Sequence, residues 1–446
     1  MSNMDSQTVV LSLARTPFGR LGGALASLDA TTLGAAALVG ALRRAGIDPS
    51  DVEHVIFGEV IQAGVGQNPA RQVQFKSGLA KTVTAETLNK VCASGLLAVA
   101  NAARLINAGE NRVVAAGGME SMSNAPYLLK EARSGYRFGD GTLIDAMVHD
   151  ALWDQYFPMT MAQQGGIVAN ELGLPREDQD RFAYESHRRA HAAHEAGNFA
   201  GEIVPLRIAT KAKGKLVLDE LPRRGAVRVP AAAASSGDNV WNHEPSARFT
   251  LDYASWAPFV TGDVPSTLVD RDEPVRADAS LEAMAKLKPL EKDGTVTAGN
   301  APGVNDGAAA LILADAGYAR ERGYEPLATI VGHATAGWDS PYLCYTPAMS
   351  SQKLLDKYGL RASDIAVWEI NEAFANVAIT SARNLGIGEE AINAWGGAIA
   401  MGHPVGASGA RLVATVINQL RKRGGGYGIA TLCSGGGQGD ALLVKV

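Results

Sequence analysis

The chain alternates two kinds of apolar pattern. Short β-branched runs give way to longer Ala/Leu-rich stretches, and the alternation recurs toward both ends of the sequence. Such alternation predicts sheets covered by helices, an α/β organisation. In the first part, "TVTAETLNKV" (82–91) predicts a strand, and Leu96 to Ile106, apolar on most faces, predicts a buried helix. Gly109 stands where a helix end needs a residue that tolerates left-handed backbone. Val113 to Ala116 predicts the next strand, so the unit reads strand, Cys92, helix, strand. From about 122 to 305 the pattern changes. Met, Tyr, Trp and Pro become frequent, one long amphipathic helix is predicted near 176–197, and regularity is low from about 218 to 267. A large excursion carrying substrate-binding loops accounts for this character.

The pattern also repeats. "GIDPSDVEHVIFGEV" (46–60) aligns with "GLRASDIAVWEINEA" (359–373), pairing Gly46 with Gly359, Asp51 with Asp364, Val52 with Ile365 and Glu59 with Glu372, each 313 residues apart. "ASGLLAVANAARL" from Ala93 answers "ASGARLVATVINQL" from Ala407 at an offset of 314. "RVVAAGG" (112–118) then answers "GIATLCSGG" (428–436) at nearly the same offset. Three echoes in the same order predict a duplicated α/β domain. The first half is expected to comprise 1–121 plus 306–326, the second 327–446, with 122–305 as a loop domain inserted in the first half.

Bulk composition narrows the function. In 446 residues, 46% are apolar and 20% charged, with a formal net charge of −5. No basic block invites nucleic acid, and no window of eighteen uncharged apolar residues predicts a membrane span. The start lacks a basic segment followed by an apolar core, and the final "LVKV" is not a peroxisomal address, so a cytoplasmic location is expected. Three scattered cysteines, Cys92, Cys344 and Cys433, do not make a disulfide framework and suit a reducing compartment.

Four stretches carry candidate chemistry. Cys92 precedes a predicted helix, whose N-terminal N–H groups and partial positive charge favour thiolate, and Ala93, Ser94 and Gly95 leave its sulfur approachable. A small hydrophobe in a core is the other reading of that position. The counterpart of Cys92 in the second half is Gly406, and just before it stands "GGAIAMGHPVGASG" with His403 in a Gly/Pro loop, a candidate base. Cys433 ends the last repeat strand and is followed by "SGGGQG", whose glycines let backbone N–H groups approach a developing oxyanion; a Gly-rich turn is the plain alternative. Asn371, in "NEAFA", has Gly58 as counterpart and either orients a neighbour or caps the following helix. His187, His191 and His194 have helical spacing, but their charged surroundings predict a solvated face, not a metal site. Cys344 is expected to line a pocket.

Taken together, "ARTPFGR", "GQNPARQ", "NKVCASG", "GGMESMS", "GTVTAGNAPGVNDGAAA", "NEAFA", "GGAIAMGHPVGASGAR" and "CSGGGQG" resemble the thiolase family, motif by motif and in family order. The resemblance implies a duplicated αβαβα layered fold with a loop domain in the first half. It implies Cys92 as the nucleophile that becomes acylated and His403 as its activator. Asn371 would hold a water that completes a first oxyanion hole, and Cys433 would be the acid/base at the α-carbon. The N–H groups of Cys92 and Gly435 would form a second hole. Acyl-CoA and coenzyme A would be substrates, with no metal or other cofactor, and the expected assembly is a homotetramer built as a dimer of dimers.

Coenzyme A and acyl contacts are carried over to Arg276, Met159, Ala298, Leu343 and Phe374. Two departures stand out: Pro158 where many acetyl-CoA-specific members have His before the pocket methionine, and Pro302 where a Ser is common. The excursion is also about fifty residues longer than usual, within about 218–267, and includes Trp241, Phe249, Tyr253, Trp256 and Phe259. An ordered flap near the coenzyme A entrance or an inter-subunit contact is expected there. The activity implied is that of a short-chain acetyl-CoA C-acetyltransferase. A β-oxidation thiolase for longer or modified chains is the alternative within fatty acid metabolism. A silent scaffold or lipid-transfer protein is a third reading, disfavoured because all four residues are retained.

Overall fold

The computed structural model describes residues 7–225, 256–292 and 294–446. Its strands include, in chain order, β1 (Thr8–Arg15), β2 (His54–Gly58), β3 (Thr84–Leu88) and β4 (Val113–Ser121) in the first part. The middle segment contributes β5 (Leu206–Ala209), β6 (Leu216–Val217), β7 (Phe259–Val260) and β8 (Ser266–Val269). Then come β9 (Asn305–Asp315), β10 (Ala328–Gly337), β11 (Ile365–Ile370), β12 (Tyr427–Ser434) and β13 (Gln438–Lys445). The large mixed sheet runs β11-β12-β13-β10-β1-β9-β4-β2-β3, with Gly19–Arg20 paired to the start of β9. β4 is buried along its whole length and β9 along nearly all of it, which explains their continuous apolar runs.

Strand order mirrors about the β1–β10 seam, which rests on the pairs Val9↔Thr329 and Val10↔Ala328. On one side β1 and β9, then β9 and β4, are antiparallel, and β4 and β2 are parallel. On the other side β10, β13, β12 and β11 follow the same sequence of directions. The segments that echo each other in sequence occupy matching places in this order. Where β3 extends the first half, the second has only the parallel bridge Trp368↔Ile392.

Helices cover the sheet and fill its interior. α1 (Ala30–Ala45) and α2 (Pro69–Lys76) bury their apolar faces against first-half strands. α3 (Ser94–Asn107) and α8 (Val405–Arg423) share one core with strands of both halves. α6 (Thr346–Tyr358) and α7 (Ala375–Asn384) pack on second-half strands. In the middle segment, α4 (Met161–Glu171) and α5 (Arg176–Glu195) join this second-half side, α5 where the amphipathic pattern predicted a helix. Gly109, at φ +75°, follows the end of α3 as predicted.

α3 and α8 cross with backbone against backbone. A Cβ at Gly409 would lie 2.4 Å from the Leu96 nitrogen, and one at Gly95 would lie 2.8 Å from the Gly406 carbonyl. The tightest point is Gly118 on β4, whose Cβ would fall 1.9 Å from the Gly406 oxygen. Backbone cannot swing aside as a side-chain tip can. Gly118→Ala is therefore expected to cost about 3 kcal/mol, the upper part of the range for overpacking. A melting temperature within a degree of wild type would show that the crossing can relax.

Among the described residues, no helix is long and apolar enough to cross a membrane. The long insert falls mostly outside the described residues, Trp241, Phe249 and Tyr253 included. β6, just before it, and β7, within it, pair at Leu216↔Phe259 in a four-stranded sheet. Trp256 packs edge-on against Phe75 of α2 at 6.3 Å, and the Gly225 N–H donates to the Gly78 carbonyl. The expected solvated histidine face is corrected here. His187 is 4% exposed with Nδ1 accepting from the Arg276 N–H, and His194 meets Asp272 at 3.1 Å. α5 docks onto the 270–276 segment with His187 and His194, while His191 is half-buried.

Candidate active site

Cys92 is placed by a strained turn between β3 and α3. Val91 has φ +47°, a left-handed conformation that a β-branched side chain resists. Several bonds hold it there. The Val91 N–H donates to Asn89 Oδ1 at 2.9 Å, the Lys90 N–H to Ser94 Oγ at 2.8 Å, and the Ser94 hydroxyl to the Val91 carbonyl at 2.6 Å. The Ser434 hydroxyl donates to the Lys90 carbonyl and ties this turn to the glycine loop after β12. Nothing in the identity of a valine signals this strain in sequence.

The turn delivers the Cys92 sulfur into a cavity of about 300 Å³. His403, Cys433, Gly435, Leu343 and Phe374 line the same cavity, with Met122, Val148, Leu152 and Met161 among the apolar walls. Six candidates, Cys92, Leu343, Phe374, His403, Cys433 and Gly435, thus meet around one space. Asn371 lies behind His403, fully buried, with Nδ2 3.4 Å from His403 Nε2 and Oδ1 without a partner among the described residues. It does not cap α7, whose N-cap is Phe374 without a side-chain bond.

Electrostatics overturn one expectation. The helix terminus was expected to favour thiolate at Cys92, but burial dominates and pushes the thiol up to about 12. The N–H groups of Cys92 and Gly435 point at the sulfur and pull the other way. The sulfur touches the cavity lumen, yet protein surrounds it on every other side, and an apolar lining solvates thiolate poorly. Cys433 is raised well above an ordinary thiol by burial, with Cys92 and Cys344 nearby adding to the effect. His403 is held down to about 3 by burial, then by the Arg411 charge, and is therefore neutral. Its Nδ1 is 2.6 Å from Ser408 Oγ, and that hydroxyl donates to the Pro404 carbonyl. The consistent assignment puts the proton on Nδ1 and leaves Nε2 as an acceptor.

Several positioning residues were not singled out from the sequence. Asn305 Oδ1 accepts from the His403 N–H at 2.8 Å and its Nδ2 donates to the Gly19 carbonyl. Glu120 accepts from the N–H groups of Val60, Ile61 and Gly406, fastening the start of α8 to the loop after β2. Glu372 accepts from Ser186, Asn393 and the Ile399 N–H and fixes the segment after Asn371. Their signal lay in the motifs "GVNDG", "GGMES" and "NEAFA", where a polar residue sits inside an otherwise small or apolar run.

The proposed coenzyme A contacts divide. Leu343 and Phe374 line the cavity; Arg276 and Ala298 are exposed and outside it. Met159 is corrected: it borders a separate recess with Phe157 and Ile167, and the cavity methionine on this strand is Met161. The residue before that methionine is thus Thr160, and Pro158 is exposed. Pro302 does line the cavity. Cys344 does not; it is packed beside Cys433 and Phe374 in the core behind the wall. No described residue of 218–267 lines the cavity.

Glu59, which follows β2, is fully buried with neither carboxylate oxygen partnered among the described residues, and burial plus neighbouring Glu120 push it up to about 9. A carboxyl raised in the folded state stabilises fully below its unfolded value and loses that contribution as pH rises toward the folded one. Glu59→Gln should therefore raise thermal stability at pH 8 by about 1–3 kcal/mol and change it little at pH 4.5. An identical shift at both pH values would show that its ionisation does not matter.

Comparison with known proteins gives a consistent result. The model of the thiolase N-terminal domain matches residues 8–229 and 257–317, and that of the thiolase C-terminal domain matches 324–446. An acetyl-CoA acetyltransferase of Cupriavidus necator is 42% identical over 441 residues, covering 99% of both chains. One from Escherichia coli (strain K12) is 41% identical over 439 residues, covering 98% of each. Acetyl-CoA acetyltransferase 2 of Arabidopsis thaliana is 40% identical over 440 residues, covering 98% of this chain and 96% of its own.

Proposed function

Because the chain belongs to the thiolase family of acyltransferases, we propose that it catalyses reversible acyl transfer to coenzyme A on short 3-ketoacyl-CoA thioesters, as an acetyl-CoA C-acetyltransferase. The observation that carries this reading is the convergence of Cys92, His403, Cys433 and Gly435 on one cavity, with Asn371 behind His403. At about 300 Å³ the cavity is at the lower end of ligand-pocket volumes, roughly 300–1,000 Å³, which favours short acyl groups.

Nε2 of neutral His403 takes the Cys92 proton as the sulfur attacks the ketone carbon, so thiolate forms only as it reacts. The N–H groups of Cys92 and Gly435 receive the oxyanion on the attacked carbon. The bond between that carbon and the α-carbon breaks, and Cys433 protonates the departing acetyl-CoA carbanion. His403 and a water held by Asn371 stabilise the enolate oxygen; the unpartnered Oδ1 and the Nδ2 beside His403 fit that role. Coenzyme A, deprotonated with help from Cys433 or His403, then attacks the acyl-Cys92 thioester and leaves with the acyl group. Synthesis runs the same steps backward, with Cys433 removing an α-proton. Each preorganised donor at such an oxygen is worth about 10²–10³-fold.

The proposal extends to the architecture, a duplicated αβαβα arrangement with halves 1–121 plus 306–326 and 327–446 and a loop domain at 122–305. It extends also to a cytoplasmic homotetramer. A thiolysis assay over chains of four to sixteen carbons tests the activity. Turnover should peak at four carbons; a peak at eight or more assigns the β-oxidation alternative, and no coenzyme A-dependent cleavage at any length overturns both.

A further inference from the structure

The cavity carries a polar pair that the reaction steps do not use. Thr160 Oγ1 donates to Glu291 Oε1 at 2.9 Å, and both residues line the cavity beside Met161, Leu290, Pro302 and Val304. A carboxylate in an apolar wall loses hydration, and the loss is offset only where donors replace the water. Thr160 serves one oxygen. No described residue donates to the other, Oε2.

The pair is built rather than incidental. Thr160 caps α4 by accepting the Gln163 N–H at 3.1 Å, which leaves its hydroxyl proton for Glu291. The Glu291 loop is closed by the Leu290 N–H to the Val296 carbonyl and by the Gly294 N–H to the Glu291 carbonyl. α4 packs directly on that loop, because a Cβ at Gly166 would lie 3.0 Å from Gly294 Cα. The free oxygen is therefore held in place before any ligand arrives.

We propose that Glu291, braced by Thr160, is a specificity-determining residue that accepts a hydrogen bond from an N–H or O–H donor of the bound thioester. The inference rests on the reading that this cavity takes an acyl-CoA. Two parts of such a ligand carry donors: the amides of the arm that ends in the sulfur, and any hydroxyl on the acyl chain. Position favours the arm. Glu291 is half-buried beside Leu290, which is 52% exposed, whereas His403 at 7% and Cys433 at 2% line the deep end. Pro302 in the same wall offers no donor or acceptor from its ring, and among the described residues Glu291 is the carboxylate of this cavity.

The test compares wild type, Glu291→Leu and Glu291→Gln on acetoacetyl-CoA and on the acetoacetyl thioester of ethanethiol, which has no N–H. A second pair contrasts 3-ketohexanoyl-CoA with its 6-hydroxy derivative. Glu291→Leu should lower the ratio of kcat/KM for the CoA ester over the ethyl ester by about tenfold to a hundredfold, chiefly through KM. Glu291→Gln, which keeps one acceptor oxygen, should lose less. A ratio within one variant does not depend on how much of the protein is folded. If the donor is on the acyl chain, the hydroxylated-to-plain ratio falls instead, which supports the same contact from the other source. Ratios equal to wild type in both pairs overturn the role of Glu291. Wild-type turnover separates the two failures: without it the thiolase reading itself falls, and with it only Glu291 does.

Discussion

Cys92→Ser leaves no acyl adduct on the protein after mixing with acetoacetyl-CoA, and thiolysis falls by about 10⁴-fold or more. The cavity makes the loss this large. Even sulfur is pushed up to about 12 by burial in these surroundings, and a hydroxyl is a weaker acid and a poorer nucleophile. An oxygen ester would also be less reactive toward coenzyme A than a thioester, so the second half-reaction suffers as well. Intact-mass spectrometry reads the adduct directly. An acyl group persisting on the serine variant, at any site, would falsify the assignment of Cys92.

Cys433→Ala has the opposite signature. The variant still takes an acetyl group from acetyl-CoA onto Cys92, a step that makes no carbanion, because His403 and the two N–H groups that face the sulfur are untouched. It no longer exchanges the α-protons of acetyl-CoA with deuterated water, and condensation drops by about 10³-fold or more. Proton NMR of the acetyl methyl follows the exchange. Normal exchange in the variant removes Cys433 from proton transfer; loss of acylation as well makes it part of the cavity's framework instead.

These two outcomes depend on a site whose resting groups are neutral. Burial raises both thiols and lowers His403, so on the proposed mechanism charge is created only during transfer, when the fixed N–H groups and the Asn371–His403 pair would receive it. A helix N-terminus contributes less than the apolar wall removes. Desolvation of a buried ion is worth several pKa units, whereas a helix end supplies about 0.3–1 kcal/mol at exposed sites.

Much of the site was legible along the chain. The repeat predicted where the second-half strands and α8 stand relative to the first, and the places of His403 in the loop before α8 and of Cys433 at the end of β12 followed from it. Local chemistry was less legible. Met159 and Met161 are two residues apart on one short extended segment, so sequence alone does not say which reaches the cavity; packing selects Met161. The three histidines of α5 looked solvated because their flanks are charged, but the turn of the helix aims His187 and His194 at the 270–276 segment. Val91 shows no local signal, since its strain is imposed by Asn89, Ser94 and the glycine loop together.

By itself the sequence determined the α/β alternation, the repeat and the four candidate stretches, because periodicity and residue chemistry are local properties written residue by residue. Only the tertiary structure decided the neutral state of the thiols, the fit of α3 against α8 at glycines, and the meeting of Thr160 with Glu291. Each of those arises from surfaces brought together from distant parts of the chain, and burial, steric contact and hydrogen bonding across such surfaces have no counterpart in any short stretch of residues.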